Sequence, residues 1–99
     1  MRTLTIPGTD LNASLLCLGT NRFGSEIDAA TSAALLDAFV EQGGNFIDTA
    51  HIYADWIPTA IRSASEKTLG VWLKDRGCRD KIVLATKGAH PDLATMHIP

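Results

Sequence analysis

Ninety-nine residues with 45% hydrophobic and 20% charged content suffice for one small folded domain and exclude a two-domain enzyme. A net charge of −2, with acids and bases interspersed and no basic run, argues against nucleic acid as a partner. Apolar runs such as Leu15-Leu16-Cys17-Leu18 fall far short of the roughly 20 residues a membrane-spanning helix needs. Residues 1–8 carry no apolar leader, so the expected location is cytoplasmic, away from membranes. Cys17 and Cys78 sit in separate segments without a CxxC or a zinc-type Cys/His spacing, and are expected as reduced thiols. Asn12-Ala13-Ser14 is formally a glycosylation sequon and is read as coincidental.

The elements follow in order. Residues 3–6 and 10–13 flank Pro7-Gly8-Thr9, a turn-forming cluster, and predict a short hairpin. Residues 15–19 have the length and apolarity of a buried strand. After a loop over 20–27, Asp28 can cap a helix over 29–42, in which Leu35, Leu36, Phe39 and Val40 form one apolar stripe. Gly43-Gly44 ends that helix, and residues 45–50 predict a second strand. A loop over 51–62 leads to Ser63 and Glu66, spaced as a capping box for a second helix with Leu69, Trp72 and Leu73 on its apolar face. Gly77 closes it, residues 81–87 predict a third strand, and 88–99 carry no strong pattern. Strands joined by helix-length crossovers are parallel, which gives an α/β class with strands covered on both faces. An open doubly wound sheet and part of a barrel fit this pattern equally.

In parallel α/β folds, ligands bind at the carboxyl ends of the strands. The first strand ends at Gly19-Thr20-Asn21, the second near Asp48 with Tyr53 just after it, and the third at Lys87. An acid, a phenol and an amine therefore meet on one rim. A free phenol has a pKa of about 10, too high for an efficient acid at neutral pH, and a nearby ammonium lowers it. A carboxylate beside the lysine keeps the amine charged and in place. The set can give a proton to a carbonyl oxygen or take one from an alcohol.

These residues also carry a family resemblance. Asp48-Thr49-Ala50-His51-Ile52-Tyr53 resembles the Asp-Thr-Ala-x-x-Tyr segment of the aldo-keto reductase superfamily. Ser65-Glu66-Lys67-Thr68-Leu69-Gly70 resembles its Ser-Glu-x-x-Leu-Gly helix, Leu84-Ala85-Thr86-Lys87 its third strand, and Leu18-Gly19-Thr20 the end of its first. The opening hairpin is similar to the one that closes the bottom of that family's barrel. The resemblance implies a (β/α)8 TIM barrel that uses NADPH, less often NADH, to reduce aldehydes and ketones or oxidise alcohols. It makes Tyr53 the general acid, Lys87 its pKa-lowering partner and Asp48 the anchor of Lys87. It also puts Gly19, Thr20 and Asp48 beside the nicotinamide-ribose end of the cofactor. The sequence departs from the family pattern at Ala54, where glycine is usual, and Trp56 beyond it is a candidate lining of the substrate pocket.

A barrel of this kind typically needs about 250 residues. Residues 1–99 supply the hairpin, three strands and two helices, with no second domain. The family's catalytic histidine on the fourth strand has no match here, since His51, His90 and His97 read as loop or surface residues and not metal ligands. The expectation is an N-terminal barrel portion, truncated and inactive alone, with strand edges that favour self-association. A non-catalytic binding or regulatory subunit on the same scaffold is the alternative.

Overall fold

A computed structural model describes residues 1–53, 55–58 and 60–90 of the chain. Strands β1 (Thr3–Thr5) and β2 (Asn12–Ser14) pair antiparallel, with Thr3 opposite Ser14. The turn between them is closed by Ile6 N–H donating to the Leu11 carbonyl at 2.9 Å and by the Thr9 hydroxyl donating to the Ile6 carbonyl at 2.8 Å. Strands β3 (Cys17–Gly19), β4 (Phe46–Asp48) and β5 (Val83–Ala85) form a parallel sheet with β4 in the middle. Helix α1 (Ala29–Glu41) joins β3 to β4, and helix α2 (Ala64–Arg76) followed by a 3-10 turn (Arg79–Lys81) joins β4 to β5. The expected α/β order with parallel strands is present.

Successive strand residues face opposite sides. Leu18, Ile47 and Leu84 lie side by side and turn toward the helices, where Ile47 packs with Phe23, Leu36, Leu69, Trp72, Leu73 and Ile82. Cys17, Phe46 and Val83, then Gly19, Asp48 and Ala85, occupy the other face, and none of these six is buried. Burial on both faces was the sequence expectation. Here only the helix face is covered, because both crossovers pass on that side.

Asn45 docks the hairpin beneath the sheet. Its side-chain oxygen accepts from Ser14 N–H at 2.7 Å, its amide nitrogen donates to the Asn12 carbonyl at 2.8 Å, and the Ser14 hydroxyl oxygen accepts from the Asn45 and Phe46 amides. At the start of α1, Asp28 caps as expected, its carboxylate accepting from Thr31 N–H at 2.7 Å. Within the expected apolar stripe, Leu36 is fully buried and Phe39 half-buried, while Leu35 and Val40 are exposed. Between the helices, Asp37 accepts from Arg76 Nε at 2.9 Å and Nη2 at 2.8 Å, and from the Trp72 indole at 2.9 Å. Arg76 and the indole hold the Asp37 carboxyl down at about 2.

Several sequence expectations need correction. The strands are shorter than read: Leu15 and Leu16 precede β3 and are exposed, and Lys81 lies in the 3-10 turn. The capping box does not form. Ser63 has a left-handed backbone, with φ 54° and ψ 37°, and its hydroxyl donates to the His51 carbonyl at 2.8 Å instead of capping α2. Its own amide is taken by the Asp55 carboxylate at 2.7 Å, and Glu66 turns instead to Thr86, just past β5. The segment over 20–27 is tied down by the Phe23–Ile27 bridge, and Phe23 plugs the core. His97 lies outside the described residues.

Candidate active site

The middle strand decides where the carboxylate stands. Asp48 ends β4, with Gly19 on one side and Ala85 on the other, so its side chain rises between two small neighbours on the uncovered face. Apart from its chain neighbours, no atom comes within 4 Å of the position a Cβ on Gly19 would take, so the sheet surface beside the carboxylate is open at that point.

Lys87 arrives from the neighbouring strand. Pairing runs on past β5: Thr49 N–H donates to the Ala85 carbonyl at 2.8 Å and His51 N–H to the Lys87 carbonyl at 3.0 Å. That register brings the Lys87 ammonium to 2.7 Å from Asp48 Oδ1 and 2.8 Å from the Thr49 carbonyl oxygen. The Asp48 carboxylate holds the Lys87 ammonium above the ordinary lysine value, and Tyr53 adds a smaller push the same way against a desolvation penalty.

Tyr53 returns over the rim on a tight turn, its amide donating to the Ala50 carbonyl at 3.2 Å. Its hydroxyl donates to Asp48 Oδ2 at 3.3 Å, and its ring lies under Lys87 Nζ, 5.0 Å from the centroid, within cation–π range. Trp56, 51% exposed, meets the Tyr53 ring edge-on with centroids 6.1 Å apart.

The structure thus brings Asp48, Tyr53 and Lys87 together at the strand ends, with Gly19 and Trp56 beside them. Their order differs from the expected one, in which lysine stands between acid and phenol. Asp48 is central, with one oxygen toward each partner, because it ends the middle strand. Thr20 is also placed differently from a ligand contact. It is fully buried, and its hydroxyl donates to the Asp48 carbonyl at 2.8 Å.

Two neighbouring residues went unassigned in the sequence reading. Ser65 Oγ lies 2.7 Å from both Thr20 Oγ1 and Thr49 Oγ1, and Glu66 Oε2 accepts from the Thr86 hydroxyl at 2.7 Å. The available signal is the Ser65-Glu66 pair of the family-like Ser-Glu-x-x-Leu-Gly helix, which by itself assigns neither residue a contact at the strand ends. Cys17 lies on the same face below Asp48; burial pushes its thiol up, and Asp48 adds to that shift. Among the described residues, no group of three or more His, Cys, Asp or Glu side chains is arranged to hold a metal ion. No helix among them is long and apolar enough to cross a membrane.

Residues 15–98 match the aldo/keto reductase family model. Norsolorinic acid reductase stcV of Emericella nidulans is 46% identical over 88 residues, which are 82% of this chain and 21% of that protein. The aryl-alcohol dehydrogenase (NADP+) of Phanerodontia chrysosporium is 40% identical over 89 residues, 82% of this chain and 21% of that protein. An uncharacterized 11.2 kDa protein from the crtE 3' region of Pseudescherichia vulneris is 44% identical over 80 residues, 80% of this chain and 78% of that protein. The chain therefore spans about a fifth of the length of the two named enzymes.

Proposed function

The chain belongs to the aldo/keto reductase family, and on that premise we propose that its strand-end cluster is the proton-handling part of an NADP(H)-dependent carbonyl reductase site. The observation that carries this reading is the bridging of Lys87 Nζ and the Tyr53 hydroxyl by the two oxygens of Asp48. In this reading the hairpin and the β3-β4-β5 sheet are the opening portion of a TIM barrel, with residues 1–99 as one domain and the uncovered face as its interior.

Tyr53 is the general acid. In the reductive direction its hydroxyl turns from Asp48 Oδ2 to the substrate oxygen and gives up its proton there, with the electron pair of that O–H bond staying on the phenolic oxygen. Lys87, beside the ring, stabilises the resulting negative charge. Asp48 keeps Lys87 charged and in place. Alcohol oxidation runs the same transfer backward. The clear sheet surface over Gly19 and the partly exposed Asp48 carboxylate fit a nicotinamide–ribose end. When bound, that cofactor supplies or accepts the hydride. Gly19 and Asp48 would line it, and Thr20 serves from beneath through the Asp48 carbonyl. NADP is favoured because one relative is named as an NADP+ enzyme, and NAD is the second choice. That relative is also named for aryl alcohols, and Trp56 next to Tyr53 is an aromatic surface suited to an aryl carbonyl or alcohol.

The remainder of a cofactor cleft is not supplied by these residues, so the chain by itself is proposed to bind weakly and to lack efficient turnover. The test is an NMR titration of the isotopically labelled 99-residue chain with NADPH, then with 4-nitrobenzaldehyde. NADPH should shift the amide signals of Gly19, Asp48 and Lys87 and leave mid-α1 still; the aldehyde should shift the Tyr53 ring and Trp56 indole. Shifts confined to residues away from the strand ends, or none at millimolar ligand, would refute the reading.

A further inference from the structure

The Asp48–Lys87 pair is half-exposed, and a carboxylate–ammonium contact in that setting does little to hold its own geometry. Something beneath must fix the two strand ends. Ser65 is fully buried and its hydroxyl reaches Thr20, just past the end of β3, and Thr49, which follows Asp48. The proton order in this chain of hydroxyls is determined. Thr20 has one hydroxyl proton and gives it to the Asp48 carbonyl, so Ser65 must donate to Thr20, and Thr49 must donate to Ser65. The resulting line runs from Thr49, whose carbonyl accepts from Lys87, to the backbone of Asp48, which accepts from Lys87 at its carboxylate. The next residue of the same helical turn, Glu66, accepts from Thr86, the neighbour of Lys87 in sequence.

We propose that Ser65 and Glu66 are positioning residues, a clip at the head of α2 that grips the residues directly following β4, β3 and β5 (Thr49, Thr20 and Thr86), and so fixes Asp48 against Lys87. Neither touches the reacting groups. The clip explains why the turn opening α2 is spent on the sheet and not on capping its own helix. Its catalytic meaning rests on the carbonyl-reductase reading; its geometry does not.

The test uses the 99-residue chain with 13C-labelled lysine and follows the Lys87 ε-carbon through alkaline pH. Thr86→Val removes the hydroxyl without changing charge and keeps a β-branched residue just past β5. Ser65→Ala removes the central hydroxyl. Each should lower the Lys87 midpoint toward the ordinary lysine value. Ser32→Ala deletes an equally buried serine of α1, bonded to the Ile27 carbonyl, and should leave it in place. Glu66→Ala should act like Thr86→Val, and Glu66→Gln, which keeps an acceptor for Thr86, should restore the wild-type midpoint. A folded Thr86→Val or Ser65→Ala chain with an unmoved Lys87 would overturn the proposal, as would a shift in Ser32→Ala of equal size. If Ser65→Ala does not fold, Thr86→Val and the Glu66 pair decide. Failure of NADPH binding would count against the function alone, because this titration contains no cofactor.

Discussion

Gly8 and Gly24 share a backbone angle and differ only in surroundings, which makes them a matched pair. Both have φ +78°, a conformation unfavourable for any residue with a Cβ. A Cβ on Gly8 meets nothing within 4 Å, whereas one on Gly24 stands 2.8 Å from the Ala64 carbonyl oxygen and collides with the Thr68 hydroxyl. Alanine at either site carries the left-handed penalty of roughly 1–2 kcal/mol. It also reduces unfolded-chain freedom by about 0.4–1 kcal/mol. Both terms cancel between the two variants. What remains at Gly24 is overpacking against backbone, which cannot swing aside, typically about 1–3 kcal/mol. With a urea m-value of about 2 kcal/mol/M, Gly24→Ala should unfold roughly 0.5–1.5 M earlier than Gly8→Ala. Circular dichroism of the two chains in urea measures the difference. Equal midpoints would refute the close seating of the segment over 20–27 against the head of α2.

Ile47, fully buried at the centre of the core, should lose about 2–5 kcal/mol of stability as Ile47→Ala and about 0.5–1.5 kcal/mol as Ile47→Val, read from the same urea curves. Because the Asp37 carboxyl is held at about 2 against an ordinary 3.8, the stability it contributes is complete above pH 3.8 and is lost as pH falls through about 2. Asp37→Asn should flatten that acid limb in a pH series of thermal melts, and an unchanged limb would count against the Arg76–Asp37–Trp72 contact. Lys87 has the opposite sign: its pKa is raised in the fold, so its contribution is present below the ordinary lysine value of 10.5 and disappears as pH climbs through the folded value. Asp48→Asn should remove this alkaline dependence.

Local rules carried part of the structure into the sequence. Asp28 reads as a cap because its partner, Thr31, is three residues away. The parallel order of β3, β4 and β5 follows from crossover length, and the meeting of Asp48, Tyr53 and Lys87 follows from strand ends sharing one rim. What sequence concealed depends on contacts between distant segments. Ser63 and Ser65 look alike as helix-start serines. Their roles separate only because the His51 carbonyl and Asp55 draw Ser63 into a left-handed conformation, while Ser65 faces Thr20 and Thr49. Phe23 sits in a stretch without periodicity and is buried by the helices above it, not by its own pattern. The central place of Asp48 required knowing that β4 is the middle strand, which element order alone does not fix.

The gathering of Asp48, Tyr53 and Lys87 at one site is open to a direct measurement. A nuclear Overhauser spectrum of the 99-residue chain should show cross-peaks between the Lys87 ε-methylene and the Tyr53 ring, whose centroid lies 5.0 Å from Lys87 Nζ. A folded chain in which that lysine gives no cross-peak to the tyrosine, and contacts other residues instead, would contradict the account.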